Sequence, residues 1–486
     1  MPARSIDCRE LAPATGCLRD TRPSQGDVIV AVMSETLSAL VSPTQRRGHP
    51  ALFVGMAGDA PRQAGARLGL RGIDRVDIGR GDARRFVREH VDDVHVLTVT
   101  LADPRLSTRH ARISRIGRSW VLEDLESKNG TWVHRRRIGT LPLEDGVAFV
   151  VGHTAFVYRA DAGDAPDLDG QPASVAAGFA TMAPRLESRF EELATAARTA
   201  VPVEIRGETG SGKELSAQAV HQLSQRSGKF VAINCGAIAP NLLEAELFGH
   251  RRGAYTGATE DRLGLVRTAD GGTLFLDEVA ELPATSQTAL LRVLESREVT
   301  PVGADRPVKV DVRVITATHK DLDAEVEAGR FRADLRARLL GVQLEMPALR
   351  DRREDLGLLA AALLDRHAPG REVGFYADAV AALYAHDWPL NIRELDRALA
   401  GALAVTTGRI ELSHLPGSLR EQRSEPVPVD VATLSDEDRE IRESLVAALA
   451  RHHGNVAAIA RELGKDRTQI RRWLKRFRLS KDGGDS

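Results

Sequence analysis

The stretch VEIRGETGSGKELSAQAV, Val203 to Val220, decides how this chain is read. VEIR has the pattern of a strand, GETGSGKE (Gly207 to Glu214) is too rich in glycine for a regular element, and the residues after Lys213 repeat at helical spacing. A strand, a glycine loop and a helix in that order let backbone N–H groups wrap a phosphate chain. Gly207, Gly210 and Gly212 supply the freedom, and Lys213 is placed to meet the β and γ oxygens. Ser or Thr usually follows that lysine to hold magnesium, and here Glu214 stands in its place. Further along, GTLFLDE carries an apolar strand into two acids, Asp277 and Glu278. Ligands of an open α/β sheet bind at the carboxyl edge of its strands, so Asp277 is placed to organise Mg2+ and Glu278 to polarise a water toward the γ-phosphate. The chemistry implied is ATP hydrolysis, in which Lys213 and the metal neutralise charge on the transferring phosphoryl group.

Outward from this core, strands such as TLFLDE and VRVITAT alternate with helical stretches such as ALLRVLESR, which predicts a parallel α/β domain with a helical end over 184–418. Upstream, 51–159 holds short runs (HVLTVTL, WVLEDL, VAFVVG) broken by Gly, Asp, Asn and Pro, the pattern of an all-β sandwich. Residues 1–45 lack periodicity and predict a mobile tail, within which Met33 is an alternative start. The Ala, Asp, Gly and Pro of 160–183 predict a linker across which the sandwich moves relative to the α/β domain. A second join over 419–432 leads to a small all-α piece, 433–486.

Composition agrees with this multidomain plan. With 42% hydrophobic and 28% charged residues, wholesale disorder and a small disulfide scaffold are excluded. Lys and Arg total 67 against 68 Asp and Glu, so any basic surface must be local. The three cysteines form no CxxC pair, no apolar run approaches the ~20 residues of a membrane helix, and no signal peptide opens the chain. A cytoplasmic protein without membrane contact is expected.

The local basic surface is at the C-terminus, where Arg451 to Lys481 carry ten Lys or Arg against Glu462 and Asp466. Val456, Ile459, Ala460 and Leu463 define one amphipathic helix, and Ile470, Trp473, Leu474 and Phe477 define a second. LGKDR between them reads as a helix-turn-helix join. The second helix carries Arg467, Thr468, Gln469, Arg471, Arg472 and Lys475, side chains suited to phosphates and base edges.

These residues resemble the sigma-54-dependent transcription activators, or bacterial enhancer-binding proteins, of the AAA+ ATPase class, over about 184–478. In that family glutamate follows the phosphate-loop lysine, as Glu214 does here. ELFGHRRGAYTGA ends in Gly253, Ala254, Tyr255, Thr256, Gly257 and Ala258, which is similar to the family's GAFTGA loop that contacts the sigma factor. Two glycines flanking an aromatic-threonine tip make a protruding turn. The resemblance also implies that Asn234 restrains the catalytic Glu278, and that Arg332 and Arg338 of FRADLRARL reach into a neighbouring subunit's site, with Arg336 on a solvated face. Thr318 of ITATHKDL and Arg393 of WPLNIREL would sense the nucleotide, although His319 replaces the usual asparagine and Leu390 the usual glycine. Trans-acting arginines imply a ring, in this family usually a hexamer.

The C-terminal piece is similar to the Fis-type DNA-binding end of the same family. IGRG, LSTRHARI and DLESKNGTWV, in order along the first domain, resemble the forkhead-associated (FHA) domain, a phosphothreonine reader. By that match Arg80, Ser107 and Arg109 meet the phosphate, Ser127 and Asn129 hold the peptide backbone, and His110 braces the loop. The implied cofactors are ATP and Mg2+. The implied partners are sigma-54 with RNA polymerase, promoter-upstream DNA, and a phosphothreonine protein or Ser/Thr kinase. Two other readings stand beside the activator: a DNA-bound phosphopeptide adaptor with weak ATPase, and a AAA+ remodeller of another target.

Overall fold

The computed structural model describes residues 48–63, 65–117, 119–172, 174, 176–254 and 258–421, together with 444, 445, 448, 451, 452, 455–465, 467, 469 and 470. The expected tail over 1–45, the loop tip Tyr255, Thr256 and Gly257, and Thr468, Arg471, Arg472 and Lys475 lie outside the described residues.

The first domain is a sandwich of two sheets. One runs in the order Leu168–Asp169, Ala66–Gly69, Ala51–Ala57, Thr154–Arg159, Ala148–Val151, Thr131–Val133, Arg136–Ile138. The other runs Thr140–Leu143, Ser119–Asp124, Ala111–Ile116, Arg75–Arg80, Val94–Leu101, Arg85–Val91. Successive residues of a strand point to opposite faces, and here both faces of the first sheet are covered. Leu52, Val54, Phe149, Val151 and Phe156 fill the sandwich. Their neighbours Phe53, Met56, Val150, Ala155 and Val157 pack with Leu356, Leu363, Phe375, Val380, Trp388 and Leu399 of the helical end of the α/β domain.

This overturns the linker expected over 160–183. Leu168–Asp169 adds a strand to the sheet, Asp167 Oδ1 accepts the Gly69 N–H at 2.8 Å, and Thr181 and Met182 are buried donors to Asp355 at 2.7 and 2.5 Å. The segment is held by hydrogen bonds and apolar burial that its small, polar composition does not reveal.

The central domain is a parallel five-stranded sheet in the order Phe230–Asn234, Thr273–Asp277, Arg313–Thr318, Val203–Arg206, Val342–Glu345. Helices Pro184–Ala197, Lys213–Leu223 and Ala284–Ser296 cover it, and Leu356–His367, Ala377–Ala385 and Asn391–Val405 build the lid. Register brings Asn234 beside Asp277 and Arg206 beside Thr318, so the loops leaving these ends converge on one edge. In the C-terminal region Leu445, Ala448, Ile459, Ala460 and Ile470 form a small core, and Gly464 turns the chain at φ 62° after the helix Val456–Glu462. Among the described residues no helix is long and apolar enough to cross a membrane.

Candidate functional site

The phosphate loop leaves the strand Val203–Arg206 and enters the helix Lys213–Leu223. Gly207, Gly210 and Gly212 have φ of 151°, 78° and 106°, conformations open to glycine and costly for other residues. A side chain at Gly210 would also strike the Leu390 carbonyl. Among the described residues the N–H groups of Thr209, Gly210 and Gly212 have no protein acceptor, and Ser211 Oγ is buried without a partner. These unpaired donors line the N-terminus of a helix, which favours an anion. Lys213 Nζ bridges the loop carbonyls of Gly207 and Glu208 at 2.9 and 3.3 Å. Glu214 is exposed on the outer side of the helix, where it accepts from Gln218.

Asp277 ends its strand next to this loop. Burial pushes its carboxyl above the usual carboxylate range, against the pull of Lys213. A half-buried acid facing one lysine and a set of unpaired N–H groups fits a phosphate chain with a divalent cation. Glu278 follows in a left-handed turn, φ 52°, its Oε1 3.8 Å from Lys213 Nζ. Its other oxygen lies 2.7 Å from His319 Nδ1. The expected Asn234–Glu278 pair is not formed: Asn234 Nδ2 donates to Asp277 Oδ2 at 3.0 Å, because strand register sets it against the first acid. Thr318 is fully buried, accepts the Lys320 N–H, and takes the Gly207 N–H on its carbonyl.

In the sandwich, Arg80, Ser107, Arg109 and Asn129 gather on the loops at one end. The Arg80 N–H donates to the Ser107 carbonyl at 2.9 Å, and a side chain at Gly79 would collide with Thr108. Arg80 and Arg109 are exposed, with no ion pair among the described residues. His110 is buried as expected of a brace: Nδ1 accepts the Ser107 N–H at 3.1 Å, which leaves Nε2–H to donate to the Gly130 carbonyl at 3.2 Å. Ser127 departs from expectation. It is buried, donates to Asp124 at 2.6 Å and accepts the Gly130 N–H, so it shapes the turn from within. Asn129 Nδ2 donates to the Arg105 carbonyl at 2.6 Å.

Residues 179–345 match the sigma-54 interaction domain, 350–430 the AAA+ ATPase lid domain, 76–152 the FHA domain, and 441–481 a helix-turn-helix domain. Over 315 residues the chain is 42% identical to the transcriptional regulatory protein ZraR of Escherichia coli K12, covering 62% of this chain and 70% of that one. The chain belongs to the sigma-54-interacting transcriptional regulators. It is also 44% identical over 310 residues to the hydrogenase transcriptional regulatory protein HoxA of Cupriavidus necator, covering 60% of this chain and 64% of that one, so it spans just under two thirds of HoxA. Among solved structures it is similar to NtrX from Brucella abortus in complex with ATP, at 31% identity and a TM-score of 0.44, over 63% of this chain and 69% of that chain.

The regulator's central domain is a AAA+ ATPase. Its Arg332 and Arg338 are exposed on the surface, held by Asp334 at 2.6 Å and Glu295 at 3.2 Å. Arg336, expected on a solvated face, is buried, with Nη1 2.8 Å from the fully buried Glu204 and Nε 2.8 Å from Asp323. It ties its helix to the sheet. The ends of the GAYTGA segment are joined: Gly253 N–H donates to the Ala258 carbonyl at 2.8 Å, and Arg251 pairs with Asp261. Of the candidate DNA contacts, Arg467 is exposed and Gln469 half-buried.

Sequence reasoning missed how closely the regulator's lid grips the phosphate loop. Glu208 turns its carboxylate to the lid, where Arg350 donates to both oxygens at 2.5 and 2.9 Å and Asn391 to one at 3.1 Å. Arg350 holds the Glu208 carboxyl down at about 2. Ile392 N–H donates to the Gly210 carbonyl at 3.0 Å, and Arg352 reaches the Ser211 carbonyl at 2.6 Å. Arg393 follows directly, its Cβ against Gly210. Leu390 sits at φ −106°, which needs no glycine, and the left-handed position is taken by Asn391 at φ 55°. The run of arginines at Arg350, Arg352 and Arg353 was the available signal.

Proposed function

We propose that the chain is a sigma-54-dependent transcriptional activator. It binds promoter-upstream DNA through a Fis-type helix-turn-helix and assembles into a homo-oligomeric ring, a hexamer when active. It spends ATP on remodelling sigma-54 RNA polymerase into the open complex, and phosphothreonine read by the FHA domain controls it. The observation that carries this reading is the meeting of Lys213, Asp277 and Glu278 beneath a loop of three left-handed glycines.

In this mechanism Thr209, Gly210 and Gly212 donate backbone N–H groups to the phosphates, and Lys213 leaves its loop carbonyls to meet the β and γ oxygens. Asp277 is the residue that would hold Mg2+, whose charge would neutralise the phosphoryl oxygens. Glu278 orients the attacking water, and Arg332 and Arg338 of one subunit stabilise the γ-phosphate in the next. Arg393 and the Glu208–Arg350 clamp pass the loaded state to the lid. The GAYTGA segment, whose ends are joined by the Gly253–Ala258 hydrogen bond, contacts the sigma factor through Tyr255 and Thr256. The alternative, an adaptor with weak ATPase, is favoured by the His319 contact that ties up Glu278.

Open-complex formation by sigma-54 polymerase on a supercoiled promoter tests the reading. Wild type is expected to melt the promoter, and Thr256→Ala to hydrolyse ATP without melting it. Lys213→Ala and Glu278→Ala are expected to lower steady-state hydrolysis by at least ~10²-fold. Normal hydrolysis without melting, with or without a phosphothreonine peptide, sinks the sigma-54 assignment.

A further inference from the structure

Where the sandwich meets the ATPase lid, the two surfaces leave a cleft of about 880 Å3. One wall carries Arg105, Asn129 and Trp132 of the sandwich, and the other Tyr376, Leu412 and Ser413 of the lid. Its size is that of a ligand site rather than a packing gap, and of the candidate phosphothreonine residues Asn129 lines it. Asn129, expected to hold peptide backbone, is in the wall itself. Its amide fixes the Arg105 carbonyl, and its own carbonyl accepts the Trp132 indole N–H at 2.9 Å. Ser107, a candidate phosphate contact, is two residues from Arg105 and accepts the Lys128 N–H on its hydroxyl at 3.1 Å.

The two walls are fixed relative to each other. Phe375 N–H donates to the Gly58 carbonyl at 2.7 Å, Gly58 N–H to the His153 carbonyl at 2.8 Å, and Arg409 pairs with Asp59. Beneath these bonds lies the apolar core common to both domains. The cleft is therefore preformed, and a chain entering it does not have to pull the domains together, which lowers the cost of binding.

Its lining says what fits. The guanidinium groups of Arg105 and Arg420 are exposed and carry no ion pair among the described residues. The lid side also brings the carboxylates of Asp378 and Glu411, which accept from the Ala379 N–H and from Ser413, and with Arg135 beside Arg105 and Arg420 the guanidinium groups still outnumber them. Trp132 adds exposed apolar surface, and the half-buried Leu412 a smaller share. Free cations beside an aromatic face suit an extended peptide with an acidic and an apolar residue.

We propose that this cleft seats the segment flanking the phosphothreonine, so that one peptide is read by the FHA domain and by the ATPase lid together. This rests on the reading of the sandwich as a phosphothreonine binder. It goes further in making the lid part of the receptor. Arg135, on the rim, donates to the carbonyls of Leu419 and Arg420 at 3.4 and 2.9 Å, so the same rim holds the chain where it leaves the lid for the DNA-binding region.

The test uses the full chain and three fluorescein-labelled phosphothreonine peptide pools, read by fluorescence anisotropy. One pool has random residues on both sides of the phosphothreonine, one only before it, and one only after it. Ser413→Trp fills the cleft from an exposed lid position outside the ATPase and phosphate sites. It is expected to weaken the two-sided pool and one of the one-sided pools by about tenfold or more, and to leave the other one-sided pool unchanged, which also shows that the variant is folded. Arg80→Ala is expected to abolish binding of all three. If Arg80→Ala removes binding and Ser413→Trp changes no pool, the cleft proposal fails while the reader stands. If wild type does not distinguish phosphorylated from unphosphorylated pools, the reader itself fails and the cleft proposal falls with it. If Ser413→Trp tightens every pool, the cleft is covered by the chain itself, and the proposal is overturned.

Discussion

At Glu278 the backbone takes φ 52°, a conformation that costs a non-glycine residue of order 1–3 kcal/mol and is retained where a side chain must be aimed. The turn directs the carboxylate back over the strand ends, between Lys213 and His319. The imidazole places a ring nitrogen 2.7 Å from Oε2, and the backbone N–H of the same residue donates to that oxygen at 3.4 Å. His319→Ala is expected to raise basal hydrolysis a few-fold by releasing the carboxylate, measured as steady-state phosphate release without partners. A tenfold fall instead would show that the imidazole serves the chemistry. At this scale the sequence was legible where a residue type has one use. Three glycines before a lysine point to a phosphate loop, and two acids after an apolar strand, common as solvated groups, gain meaning only beside that loop. It was not legible where neighbours compete: Asn234 could face Asp277 or Glu278, and only strand register decided for Asp277.

The loop around His110 shows an element held by one side chain. Nδ1 is occupied by the Ser107 N–H, so a proton arriving there must displace a donor. Burial accordingly lowers the His110 pKa from its usual 6.5. Burial lowers those of His153 and His221 in the same direction. The unfolded chain binds these protons near 6.5 and the folded chain resists them, so this stability is intact above 6.5 and is lost as pH falls toward the folded values. The melting temperature of the full chain is expected to drop between pH 7.5 and 5.5, by about 2–4 °C for each kcal/mol of linkage. His110→Gln should flatten part of that slope, and an unchanged slope would exclude this account. Elements were legible by period and less so by burial. FRADLRARL reads as a helix, yet the depth of Arg336 depends on Glu204, a buried charge on a distant strand. ALFVGMA shows no polar alternation at all, a mark of a strand covered on both sides, and that signal was present but unread.

Across the whole molecule, the sandwich and the lid share one apolar core, in which Phe53, Met56 and Val157 meet Leu356, Phe375 and Trp388. Polar ties repeat the junction. Arg159 pairs with Glu354 at 2.7 Å, and the adjacent Asp355 lies 3.8 Å from Arg352, whose other nitrogen reaches the phosphate loop at Ser211. Limited proteolysis of the native chain should therefore spare 160–183, where a linker would be cut first, and rapid cleavage there would contradict this packing. The domain classes were legible because each rests on local motifs. Their packing was not, since it depends on residues that are far apart in the chain.

The shared core also bears on heredity. Reader and engine are commonly thought of as interchangeable modules joined by a tether. Here, exchanging the reader for another kind of sensor would leave Phe375, Val380 and Leu363 facing water, an apolar patch that invites aggregation. Loss of the sandwich alone would leave that patch of the lid uncovered.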